Sequence, residues 1–443
     1  MSDEDTLNGD LLSGWGRTSP VACALAEPDN RTDLQDLITN NTNAPIIARG
    51  LGRSYGDAAQ VADGTAVLLN RFKTAEWLDA EAGVLHVGGG TTIAELIDRY
   101  VPQGWFVPVT PGTRSVTVGG AIAADIHGKN HHHDGSWCNF VDSITLMVAS
   151  GQLVRASRDV NPMLFHATCG GMGLTGIVVD ATIRMTSISS STVMVETQRT
   201  ESLDELMDLM ERSDAEHRFS VAWVDLLHYS ARGVLTQGDF ASEGDTRRPG
   251  SPAASLPPVQ LPRVMNHLLV RGFNELWYRK APSEPTVTEQ SITAFFHPLD
   301  AIRDWNRLYG SAGFHQWQIA LPEGSQPVLR SIAKQLRDAK APAFFAVLKR
   351  FGSGNDCPLS FPMPGWTLAL DLPAGNLDTT QILDQLDNEV VANGGRIYLA
   401  KDARMDPAHL HLMYPRLDAW RAVRNEWDPD GRFASDLSRR LGL

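Results

Sequence analysis

The N-terminal half of the chain carries four glycine-rich segments whose composition suits contact with a phosphate group. The first is Arg-Gly-Leu-Gly-Arg-Ser-Tyr-Gly-Asp at residues 49–57, directly after an apolar run; the others lie at residues 83–90, 111–123 and 169–177. Glycine tolerates positive φ and lets backbone N–H groups approach a ligand. One such loop could be an ordinary tight turn. Four in one block predict a long, phosphate-bearing ligand.

The fourth segment also fits the Gly-x-Gly-x-x-Gly pattern of dinucleotide-binding folds, at Gly171, Gly173 and Gly176. That pattern requires a strand before it and a helix after it. Here residues 161–167 are typical of a helix, and residues 177–183 are typical of a strand. The order is reversed, so the sequence argues against a Rossmann NAD site.

A histidine cluster comprises His127 and residues 131–133, and Asp134 follows it. His127 and His131 have the i, i+4 spacing of two ligands on one helix, so a metal site is one interpretation. Solvated or packed histidines are the other. Gly128 and the lack of a matching acidic or cysteine cluster weigh against the metal, and we predict none.

Two further polar positions could line a pocket. Lys401 ends a segment, residues 395–401, that is predicted to be a short strand. Its ordinary interpretation is a surface lysine, but a lysine buried in a pocket can act as a base. Gln316 and Gln318 share one face if residues 316–319 form a strand, as a polar pocket wall requires.

Length and composition limit the class of protein. A chain of 443 residues predicts two domains or one two-lobed unit. The hydrophobic and charged fractions, 42% and 21%, are those of a globular protein. A net charge of −13, from 39 basic and 52 acidic residues, argues against nucleic-acid binding. Four scattered cysteines without a CxxC pair argue against zinc or a disulfide framework.

Neither a leader nor a membrane span is predicted. Residues 1–6 are acidic and polar, unlike the start of a secretory signal. No run of about 18 apolar residues occurs, as a membrane-spanning helix would require.

The element pattern predicts an α+β fold with a discontinuous first domain. Strand-like runs such as residues 65–70 and 142–148 alternate with helical ones up to residue 189. A strand at 193–197 and a helix at 203–210 then open a second domain. The predicted division is residues 1–189 and 396–443 for the first domain and residues 190–395 for the second.

One segment of the second domain stands apart in composition. Residues of about 238–262 are rich in Gly, Ser, Asp and Pro, which is typical of a lid or of a loop without function. The apolar stretch that follows, residues 256–270, contains prolines that we expect to prevent a regular helix. We expect this stretch to offer apolar side chains to lipid.

Several segments carry a resemblance to known enzymes. Three of them are similar to the vanillyl-alcohol-oxidase type of FAD enzyme, namely residues 49–57, 111–123 and 427–437. Three more sharpen the match to the decaprenylphosphoryl-β-D-ribose 2′-oxidase family of mycobacteria and corynebacteria, namely residues 125–132, 361–366 and 398–402. The resemblance covers nearly the whole chain.

This resemblance implies a fold and a reaction. The fold would be two-lobed and α+β, with a PCMH-type FAD-binding domain and a substrate domain of antiparallel sheet with flanking helices. The reaction would oxidise the 2′-hydroxyl of decaprenylphosphoryl-β-D-ribose to a 2′-keto sugar, the first half of epimerisation to the arabinose donor for cell-wall arabinan. An NADH-dependent ketoreductase would complete it, and a quinone or oxygen would accept the electrons. The enzyme would work peripherally at the plasma membrane, on the cytoplasmic side by sequence although the family is often assigned to the cell envelope.

The resemblance also implies how FAD is held. Arg53 occupies the position at which related Gly-x-Gly-His-Ser loops carry a histidine bonded covalently to flavin, so we expect non-covalent FAD. The residues that the resemblance assigns to the cofactor are Arg49, Gly50, Leu51, Gly52, Arg53, Ser54, Tyr55, Gly112, Thr113, Thr117, Val118, Gly119, Gly120, Ala124, Ile126, His127, Cys169, Gly170, Gly173, Gly176, Ile177 and Tyr398.

Catalytic and substrate positions follow from the same resemblance. Lys401 is the expected base, with His127 and Tyr55 as its catalytic neighbours. Lys129 is expected to reach the substrate phosphate. The full substrate-binding set that the resemblance implies is Lys129, Trp223, Gln316, Gln318, Lys349, Thr367 and Lys401.

The chain departs from the family at two pocket positions. Ala369 stands where relatives carry a cysteine that hydride transfer does not need, so activity is expected but reaction with thiol-trapping inhibitors is not. Thr367 replaces an asparagine, which leaves substrate preference open. Two competing functions therefore remain, another FAD-dependent sugar or alditol oxidase with a soluble substrate, and a flavin-free binding protein.

Overall fold

The computed structural model describes residues 11–40, 44–71, 76–246, 254–255, 267–375 and 377–443. Most strands in the first part of the chain are short, and the full set there is β1 (Leu11–Leu12), β2 (Val21–Ala22), β3 (Ala24–Ala26), β4 (Ile46–Arg49), β5 (Thr65–Leu68), β6 (Trp77–Asp79), β7 (Val84–Gly88), β8 (Trp105–Phe106), β9 (Val141–Met147), β10 (Leu153–Ser157), β11 (Ile177–Arg184) and β12 (Thr186–Ser187). Several later strands are longer, and the full set is β13 (Thr192–Thr200), β14 (Phe219–Val224), β15 (Gly233–Phe240), β16 (Ala254–Ser255), β17 (Thr286–Ser291), β18 (Ile302–Arg303), β19 (Phe314–Pro322), β20 (Phe344–Phe351), β21 (Gly365–Pro373) and β22 (Arg396–Ile397).

The helices flank these strands. They are α1 (Arg31–Asn40), α2 (Ile93–Tyr100), α3 (Val118–Ala123), α4 (His131–Asp134), α5 (Pro162–Thr168), α6 (Leu203–Ser213), α7 (His267–Lys280), α8 (Ile292–Phe296), α9 (Gln326–Asp338), α10 (Leu377–Ala392), α11 (Pro407–Met413), α12 (Leu417–Trp427) and α13 (Asp436–Leu441). No helix of the described part combines the length and apolarity that crossing a membrane requires.

The first lobe contains a parallel sheet of order β3-β5-β4 and an antiparallel sheet of order β10-β9-β11-β7-β6. Helix α2 begins after Thr92, whose side chain accepts a hydrogen bond from the backbone N–H of Glu95. In return, the Glu95 carboxylate accepts a hydrogen bond from the backbone N–H of Thr92. This capping box fixes where the helix starts. The apolar face of α2, including Ile93 and Leu96, packs into the core of this lobe.

The second lobe is built on one large antiparallel sheet of order β17-β13-β15-β14-β20-β21-β19-β22. Helix α9 buries Leu329, Ile332, Ala333 and Leu336, which are spaced as one helical face. These side chains pack in one core with Ile319 and with residues at alternate positions of the central strands of the sheet. The intervening positions of those strands face the first lobe.

The end of the chain packs against the first lobe. The backbone N–H of Ile46 donates to the carbonyl of Arg432, and Arg440 forms two hydrogen bonds to Asp57. Strand β22, at residues 396–397, still pairs with β19 in the second-lobe sheet. The division of the chain at residue 396 stays a prediction.

Most predicted elements are confirmed. The strands near residues 65, 142, 193 and 316 and the helix near residue 203 all form, and α5 precedes β11 around the fourth glycine segment as expected. The α+β class with a large antiparallel sheet is also confirmed.

Two local predictions are wrong. The strand predicted over residues 395–401 ends at Ile397, because β19 pairs only with Arg396 and Ile397. A turn follows, in which the backbone N–H of Lys401 donates to the carbonyl of Tyr398. The stretch 256–270 was predicted without a helix, yet α7 begins at His267, five residues after the last proline. Residues 247–253 and 256–266, which make up much of the predicted lid and lipid-contacting stretch, lie outside the described residues.

Candidate active site

A cavity of about 940 Å³ runs from the glycine-rich loops of the first lobe to the large sheet of the second. This volume lies in the upper range for small-molecule sites. The loops contribute segments of residues 48–55 and 111–117 together with Gly119, Gly120, Gly173 and Gly176. The sheet and the turn after it contribute Gln316, Gln318, Val347, Lys349, Ala369, Tyr398 and Lys401.

The first glycine loop has the geometry of an anion cradle. The backbone N–H groups of Gly50, Leu51 and Gly52 donate to no group within the described ranges, and all three residues line the cavity. A methyl group at position 50 would lie 2.6 Å from Thr117 Oγ1, so only glycine allows the loop to pack against the start of α3. Unpaired N–H groups on such a loop fit the pyrophosphate of FAD.

Arg53 lies on the cavity wall and is held by contacts within the first lobe. Its guanidinium carbon lies 3.9 Å from the ring centroid of Trp15, and Nη1 donates to the carbonyl of Leu51. Both arginine and tryptophan line the cavity. A guanidinium held in this way supports the loop by a cation–π contact, and non-covalent attachment of FAD stays a prediction.

His127 lies at the centre of the aromatic part of the wall. Its ring packs against Phe351 at 4.9 Å, Tyr398 at 5.2 Å and Phe361 at 5.5 Å between centroids. Gln318 Nε2 donates to His127 Nε2 at 2.8 Å. Since that nitrogen accepts, the neutral ring carries its proton on Nδ1, which has no partner among the described residues.

Burial keeps this histidine neutral. Desolvation lowers the pKa of His127 well below its usual value, and the charges of Lys349, His131 and Lys401 add to the effect. The neutral imidazole is held on the cavity wall by Gln318 and is not a cation there.

Lys401 projects from the turn onto the ring of Tyr55. The distance from Nζ to the ring centroid is 3.5 Å. Burial lowers the pKa of Lys401 to about 7, Asp371 opposes the shift, and Lys349 reinforces it. The pKa of Tyr55 is raised far above its usual value, first by burial and then by Asp371. The pair therefore offers an amine that exchanges a proton near neutral pH beside a phenol that does not ionise.

Asp371 is a buried carboxylate that sequence reasoning missed. Its Oδ1 accepts from Gln316 Nε2 at 2.7 Å, and its side chain is 1% exposed. Burial raises the pKa of Asp371 to about 7, whereas the Gln316 hydrogen bond, Lys401 and Tyr309 lower it. The alternation of Thr367, Ala369 and Asp371 along β21 was the signal that could have found it.

The other substrate candidates are not equally close to the cavity. Lys349 lines it, and burial lowers the pKa of that lysine to about 8. Lys129 does not line it; its ammonium donates to the carbonyl of Phe295 and lies 3.9 Å from the Phe295 ring centroid. Trp223 does not line the cavity either; it lies on β14 and pairs with Val347 of β20, which does line it.

The two positions at which the resemblance implies a departure from the family, Ala369 and Thr367, differ in role. Ala369 lines the cavity directly opposite Gln318 in the sheet register. Thr367 is fully buried, and its hydroxyl accepts from Gln318 Nε2 at 3.2 Å. Thr367 therefore acts on the pocket by positioning Gln318.

Most of the predicted cofactor positions converge on the cavity. Those that line it are Arg49, Gly50, Leu51, Gly52, Arg53, Ser54, Tyr55, Gly112, Thr113, Thr117, Gly119, Gly120, Ala124, Ile126, His127, Gly173, Gly176 and Tyr398. Four do not line it and pack behind the loops instead, namely Val118, Cys169, Gly170 and Ile177.

The histidine cluster is not arranged around a metal. His127 lies outside the helix that begins at His131, so the two do not share a helical face. Within the described ranges, no three His, Cys, Asp or Glu side chains come together in a way that could hold a metal ion.

The fold and the cavity define an FAD-binding oxidoreductase. Residues 22–157 match the family of FAD binding domains, and residues 183–441 match the D-arabinono-1,4-lactone oxidase family. The first match lies within the first lobe and contains the anion cradle, and the second covers the second lobe with the C-terminal residues and contains the polar sheet wall. FAD is therefore the cofactor.

The individual relatives narrow the class further. The chain is 38% identical to a decaprenylphosphoryl-beta-D-ribose oxidase of Mycolicibacterium smegmatis, over 98% of this chain and 97% of the relative. It is also 38% identical to an uncharacterized protein in the mprA 5′ region of Streptomyces coelicolor, over 80% of this chain and 100% of that one. An L-gulonolactone oxidase of Scyliorhinus torazame is 27% identical over 41% of each chain. The chain belongs to the decaprenylphosphoryl-beta-D-ribose oxidase family.

Proposed function

We propose that this protein oxidises the 2′-hydroxyl of decaprenylphosphoryl-β-D-ribose to the 2′-keto sugar, the first half of epimerisation to an arabinose donor for cell-wall arabinan. The observation that carries the proposal is the full-length match to a relative of that name, on a chain whose cavity joins an anion cradle to a polar wall. FAD would bind on the first domain, residues 1–189 and 396–443. The sugar would bind against the second, residues 190–395.

Oxidation of the secondary alcohol removes a hydride from C2′ and a proton from its oxygen. When bound, FAD supplies the hydride acceptor. Lys401 is the base in this proposal, because its lowered pKa leaves a neutral amine available near pH 7. The side chain is then protonated while it rests on the electron-rich face of Tyr55.

The polar wall orients the sugar. Gln318 and Gln316 are each fixed by a hydrogen bond to a neighbouring side chain, His127 for the first and Asp371 for the second. Their carbonyl oxygens remain available to sugar hydroxyls. Lys349 is the cation on the cavity wall that fits the substrate phosphate, with Lys129 behind it.

Further partners belong to the same proposal. The electrons pass to a quinone or to oxygen, and an NADH-dependent ketoreductase reduces the keto sugar on its other face. The enzyme works at a membrane surface, because the polyprenyl tail of its substrate prefers the bilayer. It does so without spanning the membrane. The plasma membrane and its cytoplasmic face are the location that the sequence favours.

The test is anaerobic bleaching of the flavin by a short-chain prenylphosphoryl ribose. Bleaching by this compound but not by free pentitols supports the proposal. Bleaching by free sugars or alditols, with release of peroxide in air, would instead identify a soluble-substrate oxidase. A colourless purified protein would point to the flavin-free binding protein.

A further inference from the structure

Helix α7 presents large apolar side chains on the outer surface of the second lobe. Its inner face is buried through Val270, Asn274 and Tyr278. On its outer face, Leu268 is 78% exposed, Leu276 is 71% exposed and Trp277 is 45% exposed. The two leucines, spaced i, i+8, lie on the outer face of the helix, and the tryptophan lies at its flank, so α7 exposes apolar surface that folding does not use. We call these three residues the outer strip.

Basic side chains border the outer strip. Arg271, Arg279 and Lys280 are all exposed on α7. The acidic residue of the helix, Glu275, forms ion pairs with Arg232 and Arg279. A helix with leucine and tryptophan on its exposed face and arginine and lysine beside them has the composition of an interfacial membrane helix. This local positive charge contrasts with the net charge of −13 for the whole chain.

A row of aromatic rings connects the outer strip to the cavity. Trp277 stacks on Phe273 with centroids 6.1 Å apart, and Phe273 lies 6.4 Å from Phe345. Phe345 is 6.3 Å from Trp305, which lines the cavity. The row is continuous with the aromatic core around Tyr55, the residue that carries Lys401 on its ring. These rings place apolar side chains continuously between the cavity and the outer strip.

We propose that α7 docks into the surface of an anionic phospholipid bilayer, with the outer strip among the acyl chains and the basic side chains at the headgroups. The reason for such a surface rests on the proposed function, because a polyprenyl tail prefers the bilayer while its phosphosugar must reach the flavin. The aromatic row fits passage of the tail between the two. A bilayer is favoured over a protein partner by the basic border and by the tryptophan, which favours the membrane interface.

The test is flotation of the purified holoprotein with phosphatidylcholine vesicles that contain phosphatidylglycerol. The double variant Leu268→Gln/Leu276→Gln should bind at least about tenfold more weakly than the wild type, since two apolar side chains lose their burial in lipid. The matched control is Met163→Gln/Leu412→Gln, because these residues are 60% and 66% exposed on other helices. That control should float like the wild type. Both variants should keep the flavin absorbance and its reduction by a short-chain substrate.

A second measurement uses fluorescence quenching by brominated phospholipids. The quenching seen for the wild type should be largely lost in Trp277→Phe and kept in Trp77→Phe, whose tryptophan is 53% exposed on the other lobe. Vesicle binding equal in the wild type and the leucine double variant overturns the proposal. An absence of vesicle binding also overturns the proposal. If the double variant in addition converts a dimer to a monomer, the outer strip is an interface between two copies of the chain.

Failure of this proposal is separable from failure of the proposed function. Flotation requires no turnover. Vesicle binding through α7 without flavin bleaching by prenylphosphoryl ribose would support the membrane-docking proposal and contradict the proposed substrate. Bleaching without vesicle binding would support the proposed substrate and contradict the docking proposal.

Discussion

Lys401 lies among groups of opposite effect, and the balance between them sets its chemistry. Burial and Lys349 favour the neutral amine, whereas Asp371 favours the ammonium. The outcome is a pKa lowered to about 7. Such a group has a neutral fraction near neutral pH and can both accept and return a proton.

The first prediction concerns the loss of this base. Lys401→Ala should retain FAD, because the glycine loops hold the cofactor, while flavin reduction by substrate falls about 10²–10⁴-fold. The measurement is anaerobic stopped-flow bleaching at saturating substrate. Lys334→Ala, an exposed lysine paired with Asp338 on α9, is the control and should react normally. A Lys401 variant that kept more than about a tenth of the wild-type rate would remove this residue from the mechanism.

The second prediction concerns the pH dependence. The wild-type reduction rate should rise with pH and level off above about pH 7, since only the neutral amine of Lys401 accepts a proton. Asp371→Asn removes the charge that raises the pKa of Lys401, so the rise should move to lower pH. Asp387→Asn is the matched control, because Asp387 is also buried but bonds Trp317 and Arg404 on the opposite side of the sheet. Complete loss of reduction at every pH in Asp371→Asn would instead make that carboxylate the base.

The third prediction concerns the attachment of FAD. The resemblance places a flavin-bonded histidine at the position of Arg53, and arginine cannot form such a bond. The Arg53 guanidinium is held by Trp15 and by the carbonyl of Leu51. Acid precipitation should therefore release the yellow chromophore into the supernatant. Flavin that pellets with the protein would show an attachment at another residue.

At the scale of elements, local chemistry could be predicted from the sequence but long-range neighbours could not. The glycine loops are recognisable because their function lies in the backbone, and Gln316 and Gln318 because strand alternation places both on one face. The position of the turn at Lys401 depends on the end of β22, which pairs with β19 through only two residues. This pairing is a long-range contact that the local sequence does not specify. The alternation along β21 could place Asp371 on the cavity side of the sheet, but its hydrogen bond with Gln316, 55 residues away, could not be predicted from local sequence.

The fourth prediction tests the loop that forms the anion cradle. Gly52 has φ of +62°, and a methyl group there would lie 2.4 Å from the Arg49 guanidinium. Gly52→Ala should weaken FAD binding at least about tenfold, because the loop must shift to relieve both strains. Gly324→Ala is the control, since it has φ of +81° but open space around it in the second lobe. Equal FAD affinity in the two variants, measured by flavin fluorescence titration, would contradict this role.

At the scale of the whole molecule, the site depends on the two ends of the chain meeting. The loop at residues 49–57 comes from the first lobe, and the turn at Lys401 follows the last strand of the second. The backbone N–H of Tyr55 donates to the carbonyl of Ala400, and Gly56 packs directly on Asp402. Helix α13 closes this junction, because Arg440 reaches both Asp57 and Asp402. The cradle for FAD and the proposed base are therefore held in register by the C-terminal residues.

The fifth prediction follows from that junction. Arg440→Gln removes the cation that pairs with both Asp57 and Asp402. These two carboxylates are only 6% and 5% exposed, so the variant leaves both buried without a positive partner from Arg440. The free energy of unfolding should fall by about 2–4 kcal/mol, and flavin reduction should slow as the Lys401 turn loosens. The checks are guanidinium unfolding of the holoprotein and anaerobic bleaching of the variant. Arg421→Gln, on the exposed pair with Asp418, should change neither. A stable Arg440 variant with a normal bleaching rate would show that the loop and the turn hold their relative positions without the C-terminal helix.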